Sequence, residues 1–313
     1  MKKIVLLAVV PVLFFSSCSL QKLAINKVSD ILSGSTGGSA FTGDEDPALV
    51  GDALPFALKM YETLLEQNPE HTGLLLTTGM GFIMYANAFV QTPALMLPDD
   101  QYENQAEMLE RAKKFYIRGR DYCFRALEVN YPGFLEALYS ENPALFLENL
   151  TLEEVPLLYW SGAGWLAAIS IDIFDVELSM NLDKAAVLMD RAYELDPDFG
   201  RGVIDDFYIL YYASVPEGMG GSREKALYHF KRAVEISQGA NPSPYLSLAT
   251  TLSIQDQNAD EYKMLLERAL AIDTDLDPEN RLANIIVQEK AGWYLEHIED
   301  FFLLEPDTPE DYE

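Results

Sequence analysis

Four stretches of the chain repeat one order of apolar and polar positions, and each ends in an Arg-Ala pair followed by the end of a helix. Their apolar residues fall at the spacing i, i+3, i+4, i+7 and i+10, which marks one face of an α-helix. The four sets are Gly119, Tyr122, Cys123, Ala126, Val129; Ala185, Leu188, Met189, Ala192, Leu195; Ala226, His229, Phe230, Ala233, Ile236; and Tyr262, Leu265, Leu266, Ala269, Ile272. This recurrence predicts an array of helical hairpins.

Each repeated helix carries a single apolar stripe that it can bury only by stacking on a neighbour, which is how a solenoid is stabilised. We expect Ala192 and Ala233 to lie at helix–helix contacts, and Asp196-Pro197 to end its helix because proline cannot continue it. The pattern resembles the second helix of a tetratricopeptide repeat, although its spacing departs from the usual period of about 34 residues. The sequence therefore predicts an all-α fold of degenerate, tetratricopeptide-like α-helical hairpin repeats, an α-solenoid.

The N-terminus has the form of a secretory signal. Lys2 and Lys3 precede an apolar run over 4–15, and Ser16-Ser17-Cys18 follows. The run is too short to span a bilayer comfortably. A cysteine directly after two small residues resembles a bacterial lipoprotein box, with Phe15 where that box usually has leucine. We expect 1–17 to be a signal peptide and Cys18 to be the lipid attachment site; the alternative is a secreted protein with an unmodified cysteine.

The remaining boundaries follow from turn residues. Residues 33–39 are rich in Gly, Ser and Thr, so 18–46 is predicted to be a lipid-anchor tether and flexible linker. Asp46-Pro47 is a helix start, with Asp as the N-cap and Pro at the first helical position. One helical repeat domain is expected over 47–304, followed by an acidic tail over 305–313. Within that domain Pro93 and Pro98 are expected to break the chain, and Asp277-Pro278 to cap the last helix.

Amino-acid composition limits the classes of molecule that the protein is expected to bind. The chain is 49% hydrophobic, which is enough for a sizeable core, and strand signals are few. Its 22 basic and 50 acidic residues give a net charge of −28. Such a surface repels nucleic acid, so no nucleic-acid partner is expected. Cys123 occupies an apolar slot of its helix and is expected to be a core residue without a disulfide partner.

No metal, cofactor or catalytic site is predicted. The three histidines His71, His229 and His297 lack metal-ligand spacing, and His229 is expected to be a packed core residue. Residues 273–277 begin like a calcium loop, but Pro278 stands where that loop has glycine. An acidic turn between helices explains this stretch better.

Two further features have a chemical and a structural interpretation. Residues 218–222, rich in glycine, lie before a helix and could cradle an anion, or form a turn capped by Ser222. The acid pairs Glu153-Glu154 and Asp205-Asp206 could act as general acid and base, or form a solvated helix face. Because nothing else supports catalysis, we expect solvated acids and a protein that is not an enzyme.

Aromatic residues cluster on the first helices of the middle repeats. In helical solenoids these helices line the concave side, so Tyr159, Trp160, Tyr211 and Tyr212 are predicted to line an apolar passage or pocket for a ligand. The alternative is ordinary packing between helices. Tyr211 and Tyr212 are adjacent and cannot both point the same way on one helix.

Several stretches together resemble the T component of TRAP-type transporter systems, the TatT-like tetratricopeptide lipoproteins. The matching residues are Val155-Pro156-Leu157-Leu158-Tyr159-Trp160; Leu195-Asp196-Pro197 with Gly202; Pro216 with Gly220-Gly221; Lys225-Ala226; His229-Phe230 to Ala233; and Leu282-Ala283-Asn284 before Ala291. The resemblance implies a periplasmic, membrane-anchored α-helical lipoprotein without cofactor or catalysis. It also implies a homo-oligomer, for which a trimer is consistent with the family, and association with a TRAP-type periplasmic solute-binding protein. A pore-like passage for small hydrophobic ligands is implied as well.

Three functional interpretations remain open from the residues alone. The first is this accessory transporter subunit, and the second is a generic tetratricopeptide-like scaffold for peptides or envelope proteins. The third is a helical enzyme, which would need two carboxylates facing each other across a cleft. A groove without a closed passage would favour the scaffold.

Overall fold

The computed structural model describes residues 26–32 and 40–303, and every regular element in these ranges is a helix. The predicted all-α fold is therefore confirmed. The chain divides into two compact units, Met1–Leu195 and Asp196–Glu313. We describe each unit by itself and number the longer helices α1 to α10 in chain order.

In the first unit each long helix packs on the one before it. Short helices at Phe134–Leu138, Pro143–Leu147 and Val176–Ser179 occupy the longer connections. The long helices are α1 (Pro47–Gln67), α2 (Thr72–Ala86), α3 (Tyr102–Asn130), α4 (Val155–Ile171) and α5 (Leu182–Leu195).

The ends of α1 and α5 follow the predicted capping chemistry. The Asp46 carboxylate accepts a hydrogen bond from the Leu49 N–H at 3.0 Å, with Pro47 directly after the cap. Helix α5 ends at Leu195, before Asp196-Pro197. Part of the segment predicted to be a tether also has structure, because residues 26–32 are helical and contact the first unit. There Asn68 Nδ2 donates to Asn26 Oδ1 at 2.8 Å.

Glycines allow α2, α3 and α4 to cross closely. A Cβ added at Gly79 of α2 would lie 2.7 Å from the Gly119 carbonyl oxygen of α3 and 2.5 Å from the Cys123 sulfur. A Cβ added at Gly164 of α4 would lie 2.8 Å from Cδ1 of Ile83. Because real Cβ atoms essentially never come so close, the backbones could not take these positions with larger residues. Cys123 is fully buried and free, as expected, and burial raises the pKa of its thiol to about 12.

The expectation that Pro93 breaks the chain is wrong. Helix α2 continues through a π-helix, Asn87–Gln91, into a further α-helical turn, Thr92–Leu95, which carries Pro93 in its first turn. Proline inside a helix cannot donate to the preceding turn and crowds it, so the hydrogen-bond ladder must adjust there. The wider π-helical turn directly before Pro93 provides this adjustment, and the helix ends at Leu95, before Pro98.

Within the described residues, Thr72–Leu95 is long and apolar enough to cross a membrane by length and composition. The core helix of a water-soluble unit has the same composition, and this helix has a large buried face. Leu74 and Leu75 are fully inaccessible, and Phe82 is buried beside them. The helix therefore packs as a core element of the first unit.

The second unit is also built from consecutive packed helices. They are α6 (Val203–Ser214), α7 (Arg223–Ile236), α8 (Ser243–Leu248), α9 (Ala259–Leu270) and α10 (Arg281–Glu296), and α8 continues as the π-helix Ala249–Ser253. The expectation that Asp277 caps the last helix is wrong. A 3₁₀ turn, Pro278–Asn280, intervenes, and the Asp277 carboxylate instead accepts from Asn280 Nδ2 at 3.0 Å.

The repeated apolar stripes face the interior, as predicted. Each of α5, α7 and α9 packs on the long helix before it, which gives consecutive helical pairs. The buried stripe residues are Ala185, Leu188, Met189 and Ala192 on α5; Ala226, His229 and Ala233 on α7; and Tyr262, Leu265, Leu266 and Ala269 on α9. The arrangement of these pairs as an α-solenoid stays a prediction.

Ala233→Leu should destabilise the fold. Ala233 is 1% exposed, and a Cβ on the facing Gly202 would already lie 3.3 Å from its Cα. A leucine side chain therefore has no space, and overpacking of this kind costs about 1–3 kcal/mol of unfolding free energy. Chemical denaturation measures the effect.

Ala283→Leu is the matched control, because Ala283 is exposed on α10 and its change should stay within about 0.5 kcal/mol. Equal denaturation midpoints for the two variants would place Ala233 outside a tight helix contact.

Candidate ligand-contact site

Tyr159 and Trp160 lie early in α4, in the first unit. Their rings meet edge to face, with centroids 5.1 Å apart, and both side chains are half-buried. Trp165, on the same helix, differs because it is 1% exposed and packs against Phe124 in the core. The structure thus separates a partly accessible aromatic pair from a core tryptophan.

In the second unit, aromatic residues of α6 and α7 form a stack. Tyr208 stacks on Tyr212 with ring centroids 5.4 Å apart, and the imidazole of His229 stacks on the two rings at 4.8 and 5.6 Å. The Lys225 ammonium lies 4.8 Å from the centre of the Tyr212 ring. The stack follows from helical spacing, because Tyr208 and Tyr212 are four residues apart on α6, as are Lys225 and His229 on α7.

A buried carboxylate fixes the end of this stack. Asp205 is fully inaccessible, and its Oδ1 accepts a hydrogen bond from His229 Nδ1 at 2.6 Å. Its Oδ2 lies 3.2 Å from Arg232 Nε. The Asp205 carboxylate thus ties α6 to α7 through both of its oxygens. The expectation of a packed core histidine is confirmed, since His229 is 7% exposed.

The expectation that the acid pairs form solvated faces holds for Glu153 and is wrong for Asp205 and Glu154; Asp206 is half-buried and bonded to two serines. Asp205 is fully buried and Glu154 is 5% exposed. Both are paired within the protein: Asp205 with His229, and Glu154 with Thr151, whose hydroxyl donates to it at 2.9 Å. Asp205 therefore links α6 to α7, whereas Glu154 closes a local capping box with Thr151, and the general acid–base interpretation finds no support in their geometry.

Tyr211 and Tyr212 point in different directions, as helical geometry requires. The ring of Tyr211 packs against that of Phe207 with centroids 5.7 Å apart. It is edge-on to the ring of Tyr212, with centroids 5.4 Å apart. Tyr212 also lines a recess of about 350 Å³ together with residues 213–217, 222, 223, 252 and 255. Both tyrosines are half-buried. Neither predicted pair of aromatics is sealed in the core, and their role in a passage stays a prediction.

The glycine-rich turn beside this recess is a structural turn. The N–H groups of Gly220, Gly221 and Ser222 donate to the carbonyls of Glu217, Pro216 and Tyr212. The Ser222 hydroxyl accepts from the Lys225 N–H and caps α7. Because these three backbone donors are occupied, the turn interpretation is favoured over an anion cradle. A Cβ at Gly221 would lie 1.6 Å from the Val215 oxygen, so only glycine fits.

A second carboxylate of α6 forms a polar cluster that the sequence did not indicate. Asp206 accepts hydrogen bonds from the hydroxyls of Ser243 at 2.6 Å and Ser247 at 2.8 Å, both on α8. Burial raises the Asp206 pKa, against the effect of these bonds and of the Lys290 charge. Burial also lowers the pKa of Lys290 on α10, against the attraction of Asp206. Three residues from α6 and α8 thus meet in one place, and Lys290 of α10 is close enough for its charge to act on Asp206.

Sequence reasoning missed this cluster because its members have no common local pattern. Asp206 and Lys290 are separated by most of the second unit, and each looks like an ordinary surface charge in its own helix. The one available signal was the two serines four residues apart, Ser243 and Ser247, on an otherwise apolar helix.

The sequence also made predictions about Cys18, about metal sites and about the calcium-like stretch. Cys18 lies outside the described residues, as do the signal peptide and the acidic tail. Within 26–32 and 40–303, no group of three or more His, Cys, Asp or Glu residues is arranged to hold a metal ion. The calcium-like stretch is a turn, in which the Asp273 carboxylate accepts from the Asp275 N–H at 3.0 Å.

Comparison with known proteins decides the family. Residues 43–302 match the model of the TRAP transporter T-component family. The chain belongs to this family. The match covers both compact units, including the aromatic stack and the Asp206 cluster. This T-component is also 37% identical over 306 residues to an uncharacterized protein of Treponema pallidum (strain Nichols), across 93% of the chain and 95% of that protein. The family assigns the T-component an accessory role in transport.

Asp205→Ala should strongly destabilise this T-component. The substitution removes the hydrogen-bond partner of His229 Nδ1 and the carboxylate beside the buried Arg232 Nε. Breaking a buried charged contact from one side costs about 3–5 kcal/mol. Urea denaturation followed by circular dichroism measures the change.

Asp198→Ala is the control on the same arginine. The Asp198 side chain is 68% exposed and contacts Arg232 Nη2 at 2.5 Å, so its loss should cost about 1 kcal/mol or less. A similar small effect for both variants would contradict a stabilising role of the buried carboxylate.

Proposed function

We propose that this T-component is a non-catalytic, periplasmic, membrane-anchored lipoprotein that associates with a TRAP-type solute-binding protein and passes it a small ligand with a hydrophobic part. Family membership supports the accessory transport role. The partner, the anchor and the ligand passage are the finer parts of the proposal, as is a homo-oligomeric state.

One observation carries the ligand part of the proposal. Tyr159 and Trp160 in the first unit, and Tyr211 and Tyr212 in the second, keep partial exposure although their helices are core elements. Rings that only fill a core lose that exposure, as Trp165 and Tyr208 do. Partly open aromatic surface is typical of sites that bind small ligands with an apolar part.

The contacts of the buried acids support a non-catalytic protein. A general acid or base needs a free carboxyl or imidazole within hydrogen-bond distance of a substrate. Asp205 and His229 are bonded to each other, and both oxygens of Asp206 accept from serines. These groups are committed to holding α6, α7 and α8 together.

The partner is tested by chemical cross-linking in intact cells, followed by purification of the T-component from membranes and mass spectrometry. We expect a solute-binding protein of the TRAP class to be recovered with it. If that protein is absent while other envelope proteins or peptides are enriched, the scaffold interpretation replaces the accessory one.

Cys18→Ala should move the protein from the membrane fraction to the soluble periplasmic fraction, because Cys18 is the proposed acyl attachment site. Cys123→Ala is the matched control, since the Cys123 thiol is buried and its substitution should leave the protein in the membrane fraction. Intact-mass analysis of the wild type should show the added acyl groups. An unacylated wild type, or a Cys18→Ala variant that stays in the membrane, would contradict the anchor.

A further inference from the structure

One stripe of α3, in the first unit, alternates arginine with aromatic residues. Its members follow one another at intervals of four and three residues, which places them on one face of the helix. At about 1.5 Å per residue the stripe is about 21 Å long. We call it the arginine–aromatic stripe, and it consists of Arg111, Phe115, Arg118, Tyr122 and Arg125.

Each arginine of the stripe is held over an aromatic ring. The guanidinium carbon of Arg111 lies 5.1 Å from the centre of the Phe115 ring, and that of Arg118 lies 4.7 Å from the centre of the Phe82 ring of α2. The guanidinium of Arg125 lies 5.3 Å from the tyrosine ring of the stripe. A guanidinium stacked on a ring keeps the N–H groups at its edge free to donate and is already ordered before it binds. The stripe therefore presents preorganised donors.

The two ends of the stripe carry charges that the protein leaves unpaired. In the middle, Glu62 of α1 is paired with Arg118 and accepts a hydrogen bond from the Tyr122 hydroxyl at 2.8 Å. Among the residues that the structure describes, no carboxylate oxygen lies within 4.0 Å of a side-chain nitrogen of Arg111 or Arg125, and both residues are exposed. Acids outnumber bases in this chain by 50 to 22, so partners for these two charges would be easy to supply. The unpaired guanidiniums thus suit carboxylates that come from another molecule.

An open recess lies along the second half of the stripe. It has a volume of about 270 Å³ and is lined by Lys114, Ile117, Arg118, Asp121, Tyr122 and Arg125. Its one acid is already bound, because Arg120 donates to the Asp121 carboxylate from Nε at 2.9 Å and from Nη2 at 2.7 Å. Three cations, a tyrosine and an isoleucine remain. These side chains suit a carboxylate that projects from the surface of a partner.

The composition and length of the stripe are those of a protein-binding surface. Arginine and tyrosine are enriched among the residues that contribute most to protein–protein affinity. A length of about 21 Å fits within one side of a standard interface, which buries about 800 Å² per partner. An anionic membrane also attracts cations, but it is an extended surface that a protein with a net charge of −28 is repelled from. A protein with a local acidic patch can contact the stripe alone, because salt screens the more distant charges.

We propose that the arginine–aromatic stripe of α3 is the surface on which the solute-binding protein docks, through carboxylates of an acidic patch that pair with Arg111 and Arg125. This proposal rests on the association proposed above and names the surface that makes it and the chemistry of the partner's side. It does not depend on the passage of a ligand.

The test measures binding of the purified solute-binding protein recovered by cross-linking to the mature chain carrying Cys18→Ala, which removes the proposed anchor. Arg111→Gln combined with Arg125→Gln should weaken binding about tenfold or more, as loss of central interface arginines does. It should also reduce the dependence of the affinity on salt concentration. Lys263→Gln combined with Arg268→Gln is the matched control, because it removes two exposed cations from α9 and should leave the affinity unchanged.

The outcomes separate the two proposals. Equal affinity with and without the two stripe substitutions, or an equal loss in the α9 control, overturns the docking surface and leaves the association standing. If wild-type cross-linking recovers no solute-binding protein, the association and the docking surface are overturned together.

Two other occupants of the stripe are tested with the same variants. If the stripe substitutions abolish binding to phosphatidylglycerol vesicles and leave the affinity for the solute-binding protein unchanged, the stripe binds lipid and the proposal is overturned. If they change only the sedimentation coefficient, the stripe binds a second copy of this chain, which overturns the proposal as well. Melting temperatures verify folding, and if the double variant does not fold, unchanged affinity of Arg111→Gln alone overturns the docking surface.

Discussion

Close helix crossings at small residues are the constraint on which both units depend. In the first unit, the carbonyl oxygen of Gly119 lies only 2.7 Å from the position that a Cβ on Gly79 would take, so α2 and α3 meet backbone to backbone. In the second unit, Gly202 at the start of α6 faces Ala233 of α7 in the same manner. Dispersion contacts fall off steeply with separation, so a small increase in helix spacing would loosen every apolar contact along these interfaces.

These crossings also determine where the large side chains go. A helix that presents glycine or alanine to one neighbour must present its aromatic residues in other directions. On α4, Gly164 contacts Ile83 while Tyr159 and Trp160 keep partial exposure. On α6, Asp205 and Tyr208 face α7. Successive residues of a helix are rotated by about 100°, so Tyr211 points in another direction from its neighbour Tyr212. The partly open aromatic surfaces are thus a consequence of tight packing elsewhere on the same helices.

Much of this could be predicted from the sequence because the responsible signals are local. The apolar stripe placed Ala192 and Ala233 in the core, and the Asp46-Pro47 and Asp196-Pro197 pairs marked a helix start and a helix end. The predictions about the solvation of the acidic residues failed for a different reason. Whether Asp205 is solvated depends on His229, 24 residues away, and whether Asp206 is solvated depends on Ser243 and Ser247, 37 and 41 residues away. No window of one helix contains that information, so the candidate polar site could not be read from periodicity.

A net charge of −28 describes the surface of the protein and not the environment of its buried groups. Exposed charges are screened by salt over about 8 Å at physiological ionic strength, so the acidic surface acts weakly on groups inside a unit. Buried charges are screened much less, because water and ions have little access to them. Inside the second unit the balance is local, with Asp205 held by His229 and Arg232, and Asp206 opposed by Lys290. The sign of the surface therefore bears on which macromolecules approach, whereas the charges inside the second unit act on their immediate neighbours.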